Sequence, residues 1–428
     1  MPRRKRKPCV NPRKRGRKEA AIKEQGEELN QCPCKFNQLP HAIVMDIFAR
    51  LTVKTLSNCR YVCKDWLHVI SDPQFARLHF PRSPMGILMK NYPRLNISRK
   101  LHFTHVEESP DSQYRLEKIR FTPQNSLPIS DCCLINSCNG LVLVGSKKGD
   151  PFYVCNPIFG EYITLPCGHY DSFVGLGFSA ATNEYKVLQT KLFKDFVYIE
   201  AKVYTIGGKR AWRSIGHAPF DFVNWNFNAY VHGALHWVSV SSFSVSIVIR
   251  SFDFEREEFE VVLPPGNFGG REKQFSECVK VGVLGDSLVL CVYTDDPSKF
   301  DLWVMKDYGV QESWTKILVL DDNYPRGRGL DFYQPMVFLS NGDILMSYNN
   351  EDVVCYNKEI KGFTETKITG TRSFRAIAYT PSLVSLRDVS KGEKVKRVRD
   401  SKKSCKLFGG GTSGGAGSRI PPPQVHKT

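Results

Sequence analysis

The 428-residue chain lacks several features that whole classes of protein require. No uninterrupted apolar stretch approaches the ~20 residues that cross a bilayer, and the N-terminus opens on Arg and Lys with no apolar run behind them. Neither a membrane span nor a secretory signal is expected. The 14 cysteines include no CxxC pair, and only Cys32/Cys34 and Cys132/Cys133 lie within two residues of each other. That spacing argues against a zinc site or a disulfide framework and for a reducing compartment. Glycine-rich stretches lack phosphate-loop spacing, and no Ser/His/Asp or paired-carboxylate set stands out, so no catalytic residue, metal ligand or cofactor is expected. His232 and His236, which flank a predicted hairpin, read as core or surface residues.

What is present points to a packed, strand-rich protein: 41% hydrophobic and 12% aromatic residues, with 27 Phe and 17 Tyr, exclude a disordered chain. The net charge of +17 sits at the ends: residues 1–23 carry +10 and residues 387–428 carry +8, leaving −1 for everything between. A near-neutral middle excludes a surface shaped throughout for polyanions. Residues 1–30 are expected to form a disordered basic tail. Its clusters Arg3, Arg4, Lys5, Arg6, Lys7 and Arg13, Lys14, Arg15, Arg17, Lys18, five residues apart, resemble a bipartite nuclear import signal. The resemblance implies the nucleus, with the cytoplasm also open. Lys14 to Lys18 also resembles a degraded AT-hook, with Lys18 where that motif has Pro; the alternative it carries is a chromatin-associated regulator holding DNA. Residues 387–428 are read as a second disordered tail, basic to Lys406, then Gly-rich and finally Pro-rich.

Residues 36–80 read as a small helical module. Ile43, Val44, Ile47, Phe48 and Leu51 recur at three- and four-residue steps behind Pro40. Cys59, Val62, Cys63, Trp66, Leu67 and Ile70 predict a second helix stopped by Ser71, Asp72 and Pro73, with Val53 to Asn58 as a connecting turn. About forty residues bury little surface alone, so part of the apolar face is expected to dock elsewhere.

Leu39-Pro40, Ile47, Leu51, Val53-Lys54, Cys59-Arg60, Val62-Cys63-Lys64, Trp66 and Ile70-Ser71-Asp72-Pro73-Gln74-Phe75 together resemble the F-box without gaps. The resemblance implies docking on a Skp-family adaptor, and through it on the cullin and RING subunits of an SCF ubiquitin ligase. Carried over by position, Leu39, Pro40, Ile43, Ile47, Leu51, Val53, Leu56 and Trp66 are the candidates for adaptor contact or for the core behind it.

From residue 85 to 386 the pattern changes to short β runs ended by Gly, Asn, Asp and Pro. Strand-turn-strand units begin at 152, 202, 249, 301 and 353, spaced near the ~50 residues of a propeller blade, and each follows a second hairpin. Five four-stranded blades result. The leftover strands at the two ends of the region, around 86–105 and 375–386, supply a sixth and close the ring. The fold expected is mainly β: an N-terminal helical module followed by a six-bladed, kelch-like propeller, with an open β-sandwich array as the alternative.

This body resembles the F-box-associated domain of plant F-box/kelch proteins in Ser137-Cys138-Asn139-Gly140-Leu141, Cys155-Asn156-Pro157, Gly233-Ala234-Leu235-His236-Trp237 and Trp303-Val304-Met305-Lys306-Asp307-Tyr308-Gly309-Val310, among others. The twin glycine of kelch blades stands in its expected place only at Gly207-Gly208. A substrate receptor for protein ubiquitination is implied, its target unknown and its catalysis supplied by other subunits. Phe193 to Glu200, Asp221 to Phe227 and Asn267 to Phe275 carry aromatics beside charges and are candidate recognition loops. A propeller enzyme is disfavoured by the absent site.

Overall fold

The computed structural model describes residues 39–92, 100–108, 114–119, 127–146, 149–166, 172–192, 199–219, 222–223, 229–240, 247–266, 279–293, 300–320, 333–339, 341–366 and 374–398. Its body is a six-bladed β-propeller. Strands form where alternate residues are apolar, as in Cys132–Cys138, where every second side chain is buried. Blade 1 runs Cys132–Cys138, Leu141–Ser146, Gly149–Asn156, Glu161–Thr164, and blade 2 runs Ser172–Ser179, Glu184–Leu192, Ile199–Thr205, Arg213–Ala218. Blade 3 comprises Ala229–Val231, Ala234–Val240, Ile247–Asp253 and Glu258–Val262, with Phe222–Val223 pairing beside Ala229–Val231 on the same neighbour. Blade 4 is Val279–Leu284, Ser287–Tyr293, Phe300–Met305, Trp314–Leu320; blade 5 is Tyr333–Phe338, Ile344–Tyr348, Asp352–Asn357, Gly362–Glu365.

The sixth blade closes the ring as the leftover strands foretold. Phe374–Tyr379 pairs antiparallel with Gly86–Asn91, which continues to His102–Glu108 and Tyr114–Ile119. Closure removes the edges an open array would expose, and each neighbouring pair of blades encloses its own apolar cluster. Buried polar groups lace the innermost strands together. Asn136 donates from Nδ2 to the Leu176 carbonyl (2.7 Å) and accepts from its amide (3.0 Å), while Ser137 donates to the Ala378 carbonyl (2.8 Å). Such satisfied bonds fix the order of blades as well as their packing. The Asn139-Gly140 turn needs positive φ at both residues (44° and 81°), and a Cβ on Gly140 would fall on Ser382.

The helical module contains α1 (His41–Ala49), α2 (Val53–Cys59), α3 (Lys64–Ile70) and α4 (Pro73–His79). This differs from the sequence reading at two places. The segment expected as a turn is α2, begun by Thr52, whose hydroxyl accepts from the Thr55 amide (3.3 Å). The stripe expected as one helix is broken at residues 60–63, where Tyr61 and Val62 disfavour helix and Cys63 is extended (φ −156°). Arg60 holds that break. Its guanidinium lies 4.2 Å from the Phe159 ring centroid in blade 1.

Residues 387–398, read as part of the C-terminal tail, belong instead to the folded body. Helix α5 (Leu386–Val389) leads to Lys396–Arg397, which pairs with Tyr162 and Glu161 on the outer edge of blade 1. The strap hangs on two acids from outside the tail's basic pattern and within it. Glu161, 1% exposed, accepts from Ser385 Oγ (2.8 Å), the Leu386 amide (3.1 Å) and Arg397 (3.2 Å), and lies 3.6 Å from Arg387. Glu393 accepts from Tyr204 Oη (2.9 Å) and the Gly207 amide (2.6 Å). The charges that make this segment look like a solvated tail are those that pin it.

Candidate functional site

The four helices share one core with the propeller. Val44, Phe48, Ala49, Leu56, Ile70 and Phe75 pack in the same apolar cluster as Phe103, Leu134, Val142 and Tyr379 of blades 6 and 1. Phe48 meets Trp66 edge-on (5.1 Å) and Phe75 edge-on (6.4 Å). His79 fastens α4 to the end of α1: its Nε2 is 2.8 Å from the Leu51 carbonyl and its Nδ1 2.9 Å from Ser83 Oγ. Burial pushes the His79 pKa down, so the neutral ring is the form that fits. Helices of seven to nine residues are too short to persist alone, and this shared core supplies what propensity does not.

The opposite face is open. Leu39 (38% exposed), Ile43 (46%) and Ile47 (36%) fall at four-residue steps along α1 and its lead-in, so they stand on one side of the helix. Pro40 is exposed between them. Leu51 and Trp66 are half-buried against the cluster, and Val53 and Leu56 are buried in or beside it. The eight residues carried over from the resemblance therefore divide: Leu39, Pro40, Ile43 and Ile47 are free to meet a partner, and Val53 and Leu56 are the floor beneath. Tyr61 (83% exposed), Val62 and Leu67 add a second apolar exposure around the α2–α3 break. Sequence reasoning missed Tyr61 because it assumed a continuous helix whose buried stripe included Val62 and Leu67. Asp46 and Arg50 pair across one turn of α1 (2.8 Å).

Elsewhere the sequence candidates take structural places. His236 is fully buried in blade 3, its Nε2 2.8 Å from Tyr308 Oη, and burial pushes its pKa down to about 4. Cys59 and Cys63 are half-buried, and burial raises the Cys59 thiol. Among the described residues no three His, Cys, Asp or Glu gather in a metal-binding arrangement, and no helix is long and apolar enough to cross a membrane. Arg3 to Lys18 lie outside the described residues, as do 193–198, 221, 224–227 and 267–275 of the expected recognition loops.

The helical module and the propeller each match a known family. Residues 36–81 match the F-box-like model, and residues 85–386 match the F-box associated beta propeller domain. The chain belongs to the F-box proteins that carry an F-box-associated β-propeller. It is 30% identical over 379 residues to F-box protein At3g07870 of Arabidopsis thaliana, covering 78% of this chain and 88% of that one. F-box protein CPR1 of the same plant is 27% identical, covering 77% and 84%. The F-box/kelch-repeat protein At3g23880, also from Arabidopsis thaliana, is 26% identical, covering 82% and 97%.

Proposed function

We propose that this chain is the substrate receptor of an SCF-type ubiquitin ligase. Leu39, Pro40, Ile43 and Ile47 grip a Skp-family adaptor, through which the cullin and RING subunits are reached, and the propeller holds a target protein for ubiquitination and degradation. The chain itself contributes position; the transfer chemistry belongs to other subunits and gains from the proximity this receptor imposes. The observation that carries the reading is the exposed four-residue-spaced face of α1 above a core shared with the propeller. A shared core makes the two parts move together, so a bound target is presented in a fixed direction.

Target capture is assigned to the end of the ring away from the helices. Near the helices the connections are tight turns, such as Asn139-Gly140. The connections 193–198, 241–246, 263–278 and 321–332 leave from the other strand ends and are longer. The three loops singled out in the sequence all leave from that end. The import clusters Arg3–Lys7 and Arg13–Lys18 are assigned to nuclear entry; a fluorescent fusion lacking residues 1–18 should lose nuclear accumulation, and unchanged accumulation removes that part of the reading.

The decisive experiment is co-purification of the full chain with a Skp-family adaptor. Ile43→Asp with Ile47→Asp should abolish the complex while the protein keeps its melting temperature. Binding that survives those two charges, or that the native chain never shows, rejects the reading.

A further inference from the structure

A cavity of about 510 Å³ opens where the helical module, blades 1 and 2 and the C-terminal strap meet. Four distant stretches of chain assemble it: α4 with Phe80, the Asn139 turn of blade 1, blade 2, and the strap around Val389. Its walls are apolar. The Phe178 and Tyr185 rings lie 5.0 Å apart, and Tyr185 donates its hydroxyl to the Asn139 carbonyl (3.2 Å), so the ring is what it offers the space. Phe80 and Val389 complete the enclosure. A volume in this range, walled by apolar groups with a few polar ones among them, is the ordinary form of a small-molecule site, and it suits a body of two or three fused rings.

The rim is balanced in charge, carrying two acids, Glu184 and Asp388, and two bases, Arg77 and Lys391. Glu184 is met by Lys391 Nζ (3.5 Å), while Arg77 and Asp388 are exposed, each without an ion-pair partner among the described residues. An anion drawn to Arg77 is repelled by Asp388, a cation drawn to Asp388 is repelled by Arg77, and either sheds water to approach the apolar walls. An ion therefore gains nothing over an uncharged molecule of the same body. Asn139 and Asn183 also line the cavity, and their side-chain amides make no hydrogen bond among the described residues. A carboxamide both donates and accepts without carrying charge, which complements a hydroxyl group. We propose that this cavity binds a small uncharged ring-bodied alcohol, its body enclosed by Phe80, Phe178, Tyr185 and Val389 and its hydroxyl hydrogen-bonded by Asn139 and Asn183. Because Phe80 belongs to the helical module and the other walls to the propeller and strap, the ligand bridges the two parts. Its binding stabilises their junction by mass action.

The probe is 2-naphthalenemethanol, followed by its own fluorescence on the full-length protein, with 2-naphthoate and 2-naphthylmethylammonium as the anionic and cationic comparators. Saturable single-site binding of the alcohol is expected, with each ion bound about fivefold or more weakly. Asn139→Gly with Asn183→Gly should weaken the alcohol about fivefold, the worth of one hydrogen bond. Both positions have positive φ (44° and 52°), which glycine adopts freely, so the turns survive and this variant remains informative. Val389→Trp, which fills the space, should remove binding of all three probes. The proposal is overturned if the alcohol shows no saturable binding up to about 1 mM, if either ion binds as tightly as the alcohol, or if the paired glycines leave the alcohol's affinity unchanged. The titration needs no adaptor, so its failure leaves the assignment of the α1 face standing.

Discussion

The helical module and the propeller solve the problem of burial in opposite ways. The propeller closes on itself: six blades, an apolar cluster between every neighbouring pair, and a ring shut by strands from both ends of the region. The module borrows. Its four short helices obtain a core only by sharing one with blades 6 and 1, and they leave the far side of α1 in solvent. Stability resides in the face that looks at the propeller, and the proposed adaptor contact in the face that looks away. The two can therefore be damaged separately.

The sharpest test is to cut the shared core. Phe48→Ala removes a ring that is 1% exposed and packed on Trp66 and Phe75, and should cost about 3–5 kcal/mol by denaturant unfolding. A loss below 1 kcal/mol would mean that the module does not depend on this packing. Next in size is a property of the propeller alone. His236 has a folded pKa of about 4 against about 6.5 when unfolded, so the unfolded chain takes up the proton first as pH falls. The stability it protects is whole above pH 6.5 and drains away as pH falls toward 4, by roughly 3 kcal/mol in all. His236→Gln should flatten that part of the urea-midpoint profile; an unaltered slope contradicts the assignment. His79 acts in the same direction from within the module.

Glu161→Gln keeps the shape but removes the charge that Arg387 and Arg397 share, and should cost about 2 kcal/mol. Hydrogen exchange should quicken across 386–398 and not across blades 3 to 5; uniform quickening would show that the strap is part of the ring's own cooperativity. The smallest effect on stability is expected where the effect on binding is largest. Ile43→Asp with Ile47→Asp should shift unfolding by no more than about 0.5 kcal/mol, since both side chains already face water. A larger shift would erase the division between the two faces of α1.

Much of the ring is legible in the sequence. Each blade is built from neighbouring hairpins, so its pairing is local, and the two unpaired half-blades at opposite ends had only one another to join. The sequence put Ile43, Val44, Ile47, Phe48 and Leu51 on one apolar stripe of α1, but it did not separate the side that packs on the propeller, Val44 and Phe48, from the side left in solvent, Ile43 and Ile47. Other features had no local signature. The break at residues 60–63 sets Arg60 against Phe159, about a hundred residues away, a contact that no local pattern announces. The strap was misread because Lys394, Lys396 and Arg397 look like a solvated run until Glu161 is found beneath it. The cavity belongs to no segment at all, being the space left where four of them meet.

Ring closure also sets a schedule. Phe374–Tyr379 is synthesised after the other described strands of the six blades, yet it pairs with Gly86–Asn91, which is synthesised before them, and Tyr379 and Leu383 sit in the cluster under the helices. A nascent or prematurely terminated chain thus offers its amino-terminal helices with no finished bed to lie on. Only a polypeptide synthesised through its final blade presents them in working order, a proofreading of completeness written into the topology.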